Sequence, residues 1–178
     1  RRNYYSAKVI KDYCGTIKIV PSENGSSYRY DKLKILDLPA VSSVGDDGFH
    51  DASSLWKVSM PELTYIGECG FYGAPIINAY MPKLSYIGSW GFYSNYAASI
   101  IDFPNLEYIG NAAFCGASNL KIIDLSKCLH IGSSTFTDCS SLSFVNLPNC
   151  SYLGNDAFYK CDMVETIHLP KVTYFGSE

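Results

Sequence analysis

The 178-residue sequence has no apolar run near the roughly 18–20 residues that a membrane-spanning helix needs, and no recognisable secretory signal. It has no CxxC pair and no paired spacing of metal ligands. Charge is also scarce: 17% of residues are ionised, with a formal net charge of −3. A weakly acidic chain of this kind is not expected to bind nucleic acid, and membrane insertion is not expected either. Seven cysteines is an odd number, and they fall in phase with a repeat, which argues against a disulfide framework. The sequence opens on Arg1-Arg2-Asn3 and stops at Gly176-Ser177-Glu178, mid-repeat, and is read as part of a longer protein. The missing targeting signals therefore exclude little about location.

Aromatic residues, by contrast, make up 15% of the chain and include 15 Tyr. They are distributed by a 22-residue unit whose clearest copy is Leu120 to Ser141, repeated by Leu142 to Met163. Numbering its first Leu as slot 1, the unit reads L-x-x-I-x-L-P-x-L-x-x-I-G-x-x-A-F-x-x-C-x-x. Gly45, Gly67, Gly88, Gly110, Gly132, Gly154 and Gly176 hold slot 13, and Phe49, Phe71, Phe92, Phe114, Phe136 and Phe158 hold slot 17. One residue is missing between Phe71 and Pro82.

Alternation across slots 3 to 6 predicts a short strand with one buried face. A proline usually follows, where the chain must turn. Slot 12 is apolar throughout and closes a second side of the core; the slot-17 Phe closes a third. The slot-13 Gly is expected to supply a backbone conformation closed to other residues. One copy cannot bury these side chains alone, but stacked copies share a continuous core and a parallel sheet. The expected architecture is a repeat solenoid of roughly seven rungs over residues 33–178. Residues 1–32 are a degenerate first repeat or an N-terminal cap, with Ile17 to Pro21 resembling the repeat's strand.

The run Leu-x-x-Ile-x-Leu-Pro, then Ile-Gly-x-x-Ala-Phe and Cys, resembles the BspA-like leucine-rich repeat family. Asn155 to Phe158 with Cys161, and Asn111 to Phe114, are the closest copies. The resemblance covers about residues 33–178 in six near-complete copies. It implies a right-handed coil with a parallel β-sheet on one face and short turns, 3₁₀ or helical segments on the other. It also implies a surface or secreted protein concerned with adhesion and binding of host proteins.

The residues that could carry chemistry do not converge. Cys128 and Cys150 take slot 9, where other copies have Val or Leu; Cys139 and Cys161 take slot 20, where others have Ala. They read as small buried residues. Cys69 and Cys115 lie nearer the outer turn and are the better candidates for free thiols. His50, His130 and His168 sit in three different slots and cannot share a metal or a substrate. Asp124, Asn146 and His168 stack in slot 5 without a nucleophile, so no catalytic residue, metal or cofactor is assigned.

Slots 3 and 5 point away from the core. Ile100, Ile122 and Phe144 in slot 3 should form an apolar strip, flanked by Asp102 and Asp124, with Tyr80 and His168 in the same slot-5 column and Trp56 at the border. Two readings stand: a partner-binding site, or β-branched residues that simply pair laterally in strands. Neighbouring Asp102 and Asp124 should repel unless solvated, protonated or bridged. In slot 11, Tyr65, Tyr86, Tyr108, His130, Tyr152 and Tyr174 form a column that either stacks on itself or offers a sticky stripe. The functional expectation is a non-enzymatic protein-binding or adhesion module whose partner is a host or extracellular-matrix protein, with a structural spacer as the alternative. End-to-end association of copies is also expected, because an uncapped solenoid end exposes strand edge and core.

Overall fold

A computed structural model describes residues 16–17, 30, 32–99 and 101–177. The 22-residue unit becomes one turn of a parallel β-solenoid, and no helix occurs among the described residues. The segments expected to be short turns or helical are all turns.

The slot 3–5 strands are Ile35–Asp37, Lys57–Ser59 and Asn78–Tyr80, and, after a gap, Ile122–Asp124, Phe144–Asn146 and Thr166–His168. All pair in parallel and in phase, with Leu36 beside Val58 and Ile123 beside Val145. Each central side chain points inward and its two neighbours outward, as the period of 2 requires.

Slots 11 and 12 form a second sheet that the slot pattern alone did not reveal. It runs unbroken through Ser43–Val44, Tyr65–Ile66, Tyr86–Ile87, Tyr108–Ile109, His130–Ile131, Tyr152–Leu153 and Tyr174–Phe175. Thr16–Ile17 adds an eighth strand, with Ile17 beside Val44. Ile17 thus joins the second sheet; residues 18–21 of the expected first-sheet strand lie outside the described residues.

The third side is a stack of turns. Residues at slots 15 and 19 have left-handed φ in every complete copy; Asp47, Trp90, Ala112 and Ser134 lie between 52° and 56°. That conformation disfavours non-glycine residues, and it is held here by bonds to the next rung. The N–H groups of Asp47, Trp90 and Ala112 donate to Glu68, Asn111 and Ser133 carbonyls at 2.8 Å. The slot-13 glycines have a different role from the one expected, for none adopts a left-handed φ. They are required by close approach: a Cβ on Gly88 would sit 2.7 Å from the Gly67 carbonyl carbon and 2.8 Å from the Glu68 nitrogen.

Inside, Phe49, Phe71, Phe92, Phe114 and Phe136 stack one per rung with ring centroids 5.2–5.6 Å apart. Leu36, Leu38, Ile66, Leu106 and Ile131 close around them, fully or almost fully buried. In the last rung Ile167 and Phe175 hold positions that are buried in the preceding rungs and are exposed.

Candidate functional site

The outward side chains of the first sheet are where the slot pattern puts them. Trp56, Tyr80, Ile122 and Phe144 are 38%, 61%, 41% and 45% exposed. Asp102, Asp124 and His168 are exposed as well, and Ile35 and Ile77 enlarge the apolar surface. Ile100 lies outside the described residues. The Asp124 carboxylate accepts a hydrogen bond from Asn146 Nδ2 on the following rung at 2.9 Å.

The single continuous strip expected on this sheet is divided. Trp56 and Tyr80 belong to one three-stranded half, and Ile122, Asp124, Phe144 and His168 to the other. Between them, among the described residues, no slot 3–5 strand forms in the fourth rung. On either side of the gap the slot-6 nitrogen reaches across to the next rung's slot-5 carbonyl, as Met60 does to Tyr80 at 2.9 Å and Leu125 to Asn146 at 3.1 Å. The equivalent bonds from Met81 to Asp102 and from Phe103 to Asp124 are absent among the described residues. So is the turn-closing bond that Leu120 makes to Ala117 and that Ala98 would make to Asn95.

Side-chain volume accounts for the division. Slot 4 of the third rung is Ala79 where other copies have Leu, Val or Ile; slot 1 of the fourth is Ala98 where others have Leu, Ile or Val. Two core positions on this side are therefore short of several methylenes, and the rungs part along the first sheet while the second sheet and the turn stack stay bonded. The result is a half-open cleft of about 610 Å³ reaching from Lys57 and Tyr80 at the rim to Phe92 and Phe114 in the core.

The slot-11 column stacks on itself. Successive rings from Tyr65 through Tyr86, Tyr108, His130 and Tyr152 to Tyr174 lie 4.2–4.8 Å apart and within 11° of parallel. Burial in this stack lowers the His130 pKa below its ordinary value. A shorter column joins His50, Tyr72 and Tyr93 in slot 18.

The six described cysteines are free thiols, and Cys14 lies outside the described residues. Burial pushes the Cys128 thiol up to about 12 and raises that of Cys150. Sequence reasoning missed one juxtaposition: ligand atoms of Asp47, His50 and Cys69 lie within 4.8 Å of one another. Asp47 and Cys69 share slot 15 on successive rungs, which the repeat register could have shown. One feature opposes metal binding there: burial and the Asp47 and Glu68 carboxylates push the Cys69 thiol up to about 11. His50 Nδ1 lies 3.2 Å from Asp51 Oδ2. The sequence holds two Asn-x-Ser sequons, Asn24-Gly25-Ser26 and Asn149-Cys150-Ser151, and the first lies outside the described residues. Asn149 is occupied, donating to the Ser126 carbonyl and accepting from Lys171 Nζ.

A family model for the BspA-type leucine-rich repeat region matches residues 24–126 and 64–178, in six copies. The chain belongs to the BspA-type leucine-rich repeat family. A leucine-rich repeat protein from Eubacterium ventriosum, known from its crystal structure, matches this BspA-type chain with a TM-score of 0.70 and 26% identity. The match covers 85% of the present chain and 43% of that one. The T. pallidum leucine-rich repeat protein matches with a TM-score of 0.50 and 23% identity, over 76% of this chain and 58% of that one, a likeness of fold alone. The chain thus spans less than two thirds of the length of either. No protein of curated function matches it. BspA-type and other leucine-rich repeats are generally protein-interaction modules, and the BspA-type family is often surface-associated in bacteria. Among the described residues no helix is long and apolar enough to cross a membrane.

Proposed function

We propose that this chain is a non-enzymatic protein-binding module of a surface or secreted adhesin, and that it engages its partner through the divided face of the first sheet. One observation carries the reading: Trp56, Ile77 and Tyr80 on one half and Ile122 and Phe144 on the other stand exposed on the strands or beside them. Aromatic and large aliphatic side chains grouped in this way are the usual anchors of protein interfaces. Asp102, Asp124 and His168 supply a polar border. A host or extracellular-matrix protein is the partner class that fits a surface-displayed module of this family.

A spacer role is the second reading, favoured by the unbroken eight-stranded sheet and the ring column along it. For the isolated chain, end-to-end self-association through Ile167 and Phe175 is a further component of the proposal.

Immobilised extracellular-matrix and host-cell proteins, titrated with the natural chain and with an Ile122→Lys/Phe144→Lys pair, separate these readings. Saturable binding to at least one protein, weakened at least about tenfold by the pair with an unchanged circular dichroism spectrum, supports the module. Absence of saturable binding across the panel leaves the spacer.

A further inference from the structure

The fourth-rung cleft carries a feature that repeat packing does not explain. Slot 20 is Ala52, Ala74 and Ala117 in three copies and Cys139 and Cys161 in two, but Asn95 in the third rung. Asn95 lines the cleft and is 3% exposed, and its Oδ1 is buried with no hydrogen-bond partner. A buried amide oxygen without a partner is costly and uncommon in folded proteins. Asn95 borders a cavity of a size typical of small-ligand sites, roughly 300–1,000 Å³.

The walls define the chemistry. Phe92, Phe103 and Phe114 form an aromatic floor, with Phe92 centred 6.0 Å from Phe103 and 5.3 Å from Phe114. Ile76 and Ile101 add apolar walls, and Tyr80 and Asp102 stand at the mouth. Aromatic walls favour a flat aromatic body by offset stacking or edge contact. The unpartnered Asn95 Oδ1 is an acceptor and asks for one hydrogen-bond donor.

We infer that the cleft is a binding site for a small aromatic group bearing one hydrogen-bond donor, a phenol or an indole, held by contact with Phe103 and the edges of Phe92 and Phe114 and by a hydrogen bond to Asn95. The group has two sources, a free small molecule or a Tyr or Trp side chain presented by a protein. The site needs no exposed sheet residue beyond the mouth, so it stands or falls apart from the adhesin reading.

The experiment is an amide-resolved NMR titration of the whole chain with p-cresol, 3-methylindole, N-acetyltyrosinamide and, as the control without a hydrogen-bonding group, toluene. Two variants restore residues used by other copies and so are compatible with the fold: Asn95→Ala, and Ala98→Leu to fill the cleft. The expected result is saturable shifts at Asn95 and Ala98, with p-cresol or 3-methylindole bound about tenfold more tightly than toluene. Asn95→Ala should erase that preference, and Ala98→Leu should abolish binding of every probe. Binding of N-acetyltyrosinamide as well would assign the site to a protein side chain; its exclusion, with the free compounds bound, would assign it to a small molecule. Equal binding of toluene, unchanged binding by Ala98→Leu, or no saturable shift with any probe overturns the inference.

Discussion

The His130 ring lies 4.2 Å from the Tyr152 ring and 4° from parallel, the tightest step in the ring column of the second sheet. An imidazole enters this column without disturbing it because a neutral ring stacks like its tyrosine neighbours. A charged one must be desolvated to remain there.

That difference gives a pH dependence. Burial lowers the folded-state pKa of His130. The unfolded chain therefore binds more protons than the folded chain as pH falls below the unfolded value of about 6.5. This contribution to stability is complete above that pH and is lost as pH falls through the lowered folded value. His130→Tyr, which matches the rest of the column, should flatten the dependence. Thermal melts of both chains from pH 8 to 5 check it: the midpoints should diverge below pH 6.5, and parallel curves count against it.

Asn95 separates stability from function. Replacing it with alanine, the residue at that slot in three other rungs, removes a buried unpartnered oxygen. Asn95→Ala should stabilise the fold by about 1–2 kcal/mol in urea unfolding. A loss of stability would mean that the amide is satisfied within the fold.

The slot-13 glycines and the left-handed residues give a paired prediction. Gly88→Ala drives a Cβ into the backbone of the preceding rung and should cost about 2 kcal/mol or more. Ala112→Gly relaxes a left-handed φ of 52°. It should change stability by less than about 1 kcal/mol, strain relief and lost chain stiffness offsetting each other. Chemical denaturation of the two variants decides the matter, and the reverse order would return the glycine requirement to φ.

Thiol labelling tests the placement of the cysteines. Cys128 and Cys150 are buried with raised pKa values, as is Cys139, whose proton is held by its bond to Cys161 and by burial. Cys161 is half-buried, and its pKa is lowered by that same bond. At pH 8 Cys161 should react with a disulfide reagent before Cys69 and Cys115, with the three buried thiols protected until the chain unfolds. Mass spectrometry of timed samples reads the order.

These predictions divide along what the sequence could reveal. The core was legible because slots 4, 6, 12 and 17 repeat an apolar requirement rung after rung, and Leu36, Ile66, Phe71 and Leu147 are buried accordingly. The exposure of Ile122 and Phe144 followed from strand alternation, and that of Trp56 from its place at the strand's border. The division of the first sheet was not legible: Ala79 and Ala98 are each tolerable replacements, and that both line one cleft appears only in the fold. The left-handed turn residues were hidden for another reason. Asp47, Cys69, Trp90, Ala112, Ser134 and Asp156 share no composition, because hydrogen bonds from the next rung impose their conformation.

The most direct measurement is the dissociation constant for a matrix or host protein bound by the natural chain, compared between two faces of the rod. Trp56→Lys/Ile122→Lys alters the first sheet, and Tyr65→Lys/Tyr174→Lys alters the two exposed ends of the ring column on the second. Binding through the first sheet predicts that the former weakens binding by about tenfold or more, while the latter leaves it within about twofold. Loss of binding with the ring-column pair and none with the sheet pair would contradict the account and move the interface to the second sheet.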